Sequence, residues 1–334
     1  MATYECSSAE ALKRLKTSPG ARWSSGWEVE PEEGTAWQRI TADDFFTPVI
    51  QPEFTIERED SVFAIGSCFA RTVERNLARL GVEVESLSDA FDQFAVTWDE
   101  AWPIGFSNKY NPPAILNELR WALEPGEQFS PEALQQLPDG MWVDPQAFYS
   151  IFGSADFETA LHRHKLLTEL MGRIASCRVV IITLGLIEAF FDNKLGLYTN
   201  FTPHLSHEPD RFTFRVLGYD EVVEALEEIH TLLARHGHRD LQLVVTVSPV
   251  PLDATFTGED IVVANTLGKS TLRAAAGWWA RAHDNVHYFP GYEMVMNSEA
   301  ERAWFVDGRH VRPKLVQHIM ETFLRTHVAT KVPA

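Results

Sequence analysis

The hydrophobic positions of this chain fall into short continuous apolar runs separated by stretches of helical period. Ser61-Val-Phe-Ala-Ile-Gly66 is the first such run, the pattern of a strand covered on both faces. Directly after it Phe69, Val73 and Leu77 fall four apart. This stripe predicts an amphipathic helix ending near Gly81, with Arg71, Glu74, Arg75 and Arg79 elsewhere on its surface. Val82-Glu-Val-Glu-Ser86 alternates like a second strand. Helical patterns follow over 112–123, opening on Pro112-Pro113, and over 156–175, 219–236 and 260–282. Arg178-Val-Val-Ile-Ile-Thr-Leu-Gly185 and Leu241-Gln-Leu-Val-Val-Thr-Val-Ser248 predict two more buried strands, and Val286-His-Tyr-Phe289 a short fifth. Leu315, Ile319 and Phe323 mark a C-terminal helix.

Strands that alternate with helices predict an α/β protein, a three-layer α/β/α sandwich around a parallel sheet. Two segments interrupt the alternation. Residues 124–154 are rich in Pro, Gly, Gln and aromatics, and residues 189–217 are irregular with a hairpin-like stretch. Both read as insertions that would build a lid or small subdomain over the carboxyl edge of the sheet. Residues 1–60 read as irregular, with Trp23, Trp27 and Trp37 expected to anchor an extension draped over the domain. The extension is assigned to 1–50 and the domain to 51–330.

Composition narrows the function classes. At 45% hydrophobic and 23% charged, the 334 residues suit a packed soluble protein. The net charge of −18 repels phosphate backbones and anionic headgroups, so neither nucleic-acid binding nor electrostatic membrane docking is expected. No run reaches the ~18 apolar residues of a membrane span. The chain start lacks the apolar run of a signal peptide, and Cys6, Cys68 and Cys177 form no disulfide framework. A cytoplasmic protein is expected, or one exported without a conventional signal.

The chemistry concentrates at Ser67, between the first strand and its helix. Ligands of open parallel sheets sit where strands end and helices begin. Gly66 permits the sharp turn, and the N–H groups opening the helix can stabilise an oxyanion. Ser67 also suits a plain helix N-cap. Phe305-Val-Asp-Gly-Arg-His310 supplies a partner: His310 can take a serine proton and Asp307 can orient the ring. The alternative makes Asp307 a turn former with Gly308, and His310 part of the next helix's N-terminus. Cys68, beside Ser67, is a second conceivable nucleophile, though a small packed residue is the expectation. The pairs His162/His164, His204/His207 and His236/His238 lack the carboxylate or Cys company of a zinc site, so no metal is expected. No Gly-x-Gly-x-x-G or Walker sequence is present, and no cofactor is expected.

The run Gly66-Ser-Cys-Phe-Ala70 resembles the motif of the GSCFA-domain family, a branch of the SGNH (GDSL-like) hydrolase superfamily. The resemblance continues through Asn108-Lys-Tyr110, Thr183-Leu-Gly-Leu-Ile-Glu188, Val247-Ser-Pro-Val-Pro251, Lys269-Ser-Thr-Leu-Arg273, Tyr288-Phe-Pro-Gly-Tyr-Glu293 and Asp307-Gly-Arg-His310, over roughly residues 45–325. It implies a flavodoxin-like sheet of about five strands, Ser67 as nucleophile, and Asp307 and His310 as the Asp-x-x-His element. The superfamily's third block carries an oxyanion-hole Asn, but that position here is Ile187. Asn108 is therefore expected to supply a side-chain donor beside the Ser67 and Ser107 N–H groups, unless it only bonds its own backbone near Tyr110. Tyr110, Glu188, His204 and His207 are candidate substrate contacts; Glu188 has the alternatives of holding Asn108 or forming a structural ion pair. The implied reaction is carboxyl-ester hydrolysis, for example deacetylation of a carbohydrate ester. With a sugar hydroxyl as acceptor it becomes O-acyl transfer, an acyl-CoA being one possible donor. A catalytically weak glycan- or partner-binding module is the alternative of a different class. A place in bacterial polysaccharide modification follows by analogy alone.

Overall fold

All five predicted strands join one parallel sheet in a computed structural model of the chain. The structure describes residues 4–18, 20–24, 33–88, 90, 107–147 and 153–328, with side chains at all of these but Cys68 and Phe69. The strands are β1 (Ser61–Gly66), β2 (Glu83–Val84), β3 (Val179–Leu184), β4 (Gln242–Val247) and β5 (Val286–Tyr288), in the order β5-β4-β3-β1-β2. Written by sequence rank this is the 2-1-3-4-5 order of flavodoxin-like sheets, and it reverses between β1 and β3. Register is continuous there, with Ala64 opposite Ile181 and Gly66 opposite Thr183.

The six principal helices are α1 (Cys68–Arg79), α2 (Pro112–Leu123), α3 (Phe157–Gly172), α4 (Tyr219–His236), α5 (Ile261–Ala282) and α6 (Pro313–His327). Alternate residues of β1 feed opposite layers. Phe63 and Ile65 join a core with the apolar faces of α2, α3, α4 and α5. Val62 and Ala64 join a second core with α1 and α6. A strand buried on both faces cannot slip one residue without exchanging its two cores, so the register that places Gly66–Ser67 is firmly set.

The polar side of α1 is a surface only in part: Arg79 is exposed and Arg75 half-buried, but the other two charged positions turn inward. Arg71 is 5% exposed and Glu74 1%, against the expectation that both face water. Arg71 turns inward because acceptors await it: Nη2 donates to the Ala64 carbonyl at 2.7 Å and Nη1 to Ser107 Oγ at 2.5 Å. Its Nη1 also lies 2.7 Å from Glu74, whose pKa burial raises and the Arg71 charge opposes.

The N-terminal extension is not irregular throughout. Residues Ser8–Thr17 and Ala36–Ala42 are helical, capped by the side chains of Ser7 and Thr35. Neither buries a residue, so no apolar stripe announced them; a cap and the Glu10–Arg14 pair are local support. Trp23 and Trp37 are 64% and 46% exposed and do not anchor this segment, and Trp27 lies outside the described residues. The first insertion carries a short antiparallel pair, Gln135–Gln136 with Trp142–Val143. The second forms a three-stranded antiparallel sheet in which Glu188–Asp192 pairs with both Leu197–Tyr198 and Phe212–Val216.

Candidate active site

Ser67 stands at the carboxyl end of β1, where the strand order reverses. Gly66 adopts φ +128°, and a Cβ there would lie 2.3 Å from the Thr183 carbonyl oxygen, so only glycine fits between β1 and β3. Ser67 occupies the N-cap position of α1 with extended backbone, φ −70° and ψ 177°. Its side chain makes no capping bond. The hydroxyl is buried, the residue being 2% exposed, and it has no hydrogen-bond partner among the described residues. Buried polar groups are rarely left so, and one at a cleft wall is a functional candidate. The Ser67 N–H points at the Thr183 carbonyl across 3.4 Å. The side chain of Cys68 lies outside the described residues.

On the other edge of β1, the segment 107–110 continues the sheet. Asn108 bridges Gly66, and the Lys109 N–H donates to the Gly66 carbonyl at 2.9 Å. Charge buried beneath this segment pins it. Lys109 Nζ lies 2.6 Å from Glu118, both side chains fully buried, and donates to the Gln146 carbonyl. His164 Nδ1 meets Asp144 at 2.6 Å. Burial pushes the Asp144 carboxyl up, but the His164 charge and hydrogen bond and the Gln146 N–H together hold it below its ordinary value.

Asn108 is fully buried; its Nδ2 faces the Tyr110 hydroxyl at 3.4 Å and its Oδ1 has no partner among the described residues. Its amide thus meets a side chain rather than its own backbone. Ser107 gives its hydroxyl oxygen to Arg71. Asn200, in the second insertion, carries no signal in the sequence, yet it clamps this segment from both sides. Its Oδ1 accepts from the Tyr110 N–H and its Nδ2 donates to the Asn108 carbonyl, each at 2.8 Å. Nothing local in its surroundings marks it, because its partners lie some ninety positions earlier in the chain.

The Asp307–His310 loop precedes α6. The Gly308 turn, at φ +64°, lets Asp307 fold back on Arg309 and His310. Asp307 Oδ1 accepts from the N–H groups of Arg309 and His310 at 3.0 and 3.1 Å, and Oδ2 meets His310 Nδ1 at 2.5 Å. The His310 hydrogen bond first, then the two backbone bonds, hold the Asp307 carboxyl down to about 2. With Nδ1 engaged by the carboxylate, Nε2 is the ring nitrogen that could serve as a base. Arg309 pairs with Asp253 at 3.1 Å, tying this loop to the one after β4.

Ser67, Tyr110, Glu188, Arg309 and His310 line one cleft of about 680 Å³. Ser248, Val250 and Pro251 close it after β4, and residues 199–202 close it from the second insertion. Glu188 makes no ion pair among the described residues: Oε1 accepts from Thr255 Oγ1 at 2.7 Å and Oε2 from the Phe256 N–H at 3.1 Å. It holds the 255–256 loop, not Asn108. His204 and His207 are not among the lining residues; the His204 backbone pairs instead with the Gln135 side chain. Asn108 also lies behind the cleft wall. Ile187 is buried with its side chain near Gly268, facing away from the cleft that its neighbours Leu186 and Glu188 line. Among the described residues no group of three or more His, Cys, Asp or Glu could hold a metal ion. None of the described helices is long and apolar enough to cross a membrane.

Solved structures with some likeness include a family 3 carbohydrate esterase of Clostridium thermocellum, 12% identical, TM-score 0.33, covering 80% of this chain and 94% of that one. A Geobacillus acetyl-xylooligosaccharide esterase variant is 11% identical, TM-score 0.34, covering 84% of this chain and all of that one. Scores this low leave the fold to be settled by the sheet order. No curated protein matches the chain. The model of the GSCFA family matches residues 61–323. Both Ser67 and the Asp307–His310 loop fall inside that match, and the chain belongs to the GSCFA family.

Proposed function

We propose that this protein is a serine-dependent acyl-transfer enzyme. The observation that carries the reading is a buried Ser67 hydroxyl, without a hydrogen-bond partner among the described residues, in the same cleft as a histidine whose Nδ1 is held by a carboxylate. Ser67 Oγ attacks the ester carbonyl carbon and its proton passes to His310 Nε2. The alcohol leaves with that proton, giving acyl-Ser67. His310 then takes a proton from the acceptor as it attacks the acyl carbon, and returns that proton to Ser67 Oγ as the serine leaves. Asp307 orients the ring and stabilises the imidazolium. The developing oxyanion is received by the N–H groups at the start of α1, favoured by the helix dipole, and by Asn108 Nδ2 once it leaves the long contact with Tyr110.

With water as acceptor the protein is a carboxyl-ester hydrolase, and with a sugar hydroxyl an O-acyltransferase. The mostly apolar lining around Ser67 limits water at the acyl-enzyme, which favours transfer as the second reading. An acyl-CoA is one donor class for that route. The assignment of a carbohydrate ester rests on analogy within the family. The test is turnover of p-nitrophenyl acetate with and without a panel of sugar acceptors. Turnover lost in Ser67→Ala supports the reading, and acylated sugar in the product mixture marks the transferase. Sugar binding without turnover, unchanged in Ser67→Ala, would show a binding module instead.

A further inference from the structure

We infer that the acyl group taken by this cleft is apolar and longer than acetyl, seated on a wall of Phe190, Phe214 and Phe256. The inference rests on the serine-enzyme reading and specifies its substrate. The three rings come from separate segments: the first and last strands of the second insertion's sheet and the loop after β4. They pack on one another with centroids 5.1–5.5 Å apart, one pair edge to face and two tilted. Glu188 fixes the arrangement by binding both Thr255 and the Phe256 N–H.

The cleft's polar groups argue in the same direction. A sugar-binding surface needs side-chain donors and acceptors turned toward the ligand's hydroxyls. Here the amide of Asn200 is spent on the backbone of 108, 110 and 146. Glu188 is spent on the 255–256 loop, Thr199 Oγ1 on the Phe201 carbonyl at 2.7 Å, and Asp253 pairs with Arg309. What remains turned toward a ligand across from the polar Ser67–His310 side is largely carbon. Phe190 is buried, but Phe256 is 50% exposed, apolar surface that an acyl chain would cover. A cleft of about 680 Å³ far exceeds an acetyl group and lies within the usual range of small-ligand pockets, roughly 300–1,000 Å³.

The test is the pre-steady-state burst of p-nitrophenolate from p-nitrophenyl acetate, butyrate, hexanoate and octanoate, with the acyl-Ser67 peptide identified by mass. The burst reads acylation alone, so it serves hydrolase and transferase alike. Burial of each methylene raises acylation kcat/KM up to about fourfold, or up to about 250-fold from acetate to hexanoate. Phe256→Ala and Phe214→Ala each lower the hexanoate-to-acetate ratio about tenfold. Because the Phe256 ring is half exposed, that variant serves even where Phe214→Ala does not fold. A flat or falling chain-length series, or a ratio that neither variant moves, overturns the apolar wall and leaves the nucleophile standing. No turnover of any ester and no acyl-Ser67 overturns the serine reading and the wall together.

Discussion

The two halves of the candidate catalytic apparatus are built in opposite ways. Ser67 is 2% exposed and fixed by the core: β3 lies against Gly66, the 107–110 segment joins its other edge, and Arg71 and Lys109 are buried beneath. The side chains of Asp307 and His310 are 47% and 36% exposed, on a turn held by its own hydrogen bonds and one exposed ion pair. Geometry fixed by packing fails only when the fold fails. Geometry fixed by a few surface bonds can adjust while the core stays intact. Ser67 is therefore the rigid partner and the Asp307–His310 loop the one able to move.

The sharpest break in that comparison comes from chemistry. Ser67→Ala or His310→Ala is expected to lower kcat on the order of 10⁶-fold, and Asp307→Asn on the order of 10⁴-fold. Ser67→Ala should leave the melting temperature unchanged, because the hydroxyl has no hydrogen-bond partner among the described residues, and the two loop changes should lower it only slightly, because the bonds they remove lie on the surface. Lys109→Met reverses the pattern. It strands the Glu118 carboxylate in the core at a cost of about 3–5 kcal/mol, visible in denaturant unfolding. Asn108→Ala should slow acylation about 10²–10³-fold if its amide receives the oxyanion, and leave the rate near wild type if it is only structural.

Acid separates the halves further. Asp307, held to about 2, keeps its contribution above the ordinary carboxylate value and loses it only as pH falls through about 2. His327 behaves differently. Burial, then the nearby His287 charge, lowers it from 6.5 to about 4. The unfolded chain takes up that proton near 6.5 and the folded protein only near 4. Stability should therefore fall as pH drops across that interval, by about 3 kcal/mol at most. Urea titrations at pH 7 and pH 4.5 should show the loss, and His327→Phe should reduce it, the remainder coming from His287 and His318, which burial also lowers.

Much of this was legible in the chain because it is local. A buried strand, a Gly-Ser turn and an amphipathic helix are contiguous in sequence, and so are Asp307 and His310. The alternation of strands and helices likewise announced the sandwich. The supports were not legible, because they join distant segments. Arg71 and Glu74 read as surface residues, since a polar helix position turns inward only when acceptors such as Ala64 O and Ser107 Oγ lie behind it. Asn200 and Glu188 act on backbone that sequence spacing does not bring near. The Phe190–Phe214–Phe256 wall needs three segments to be folded before it exists. The N-terminal helices escaped notice because they bury nothing.

The most direct test of the central claim is labelling of the pure protein with a fluorophosphonate probe, followed by mass spectrometry of the modified peptide. A hydroxyl activated as described gives one adduct, on Ser67, that vanishes in Ser67→Ala and falls steeply in His310→Ala. Folded wild-type protein that takes no label, or takes it elsewhere, would contradict the account.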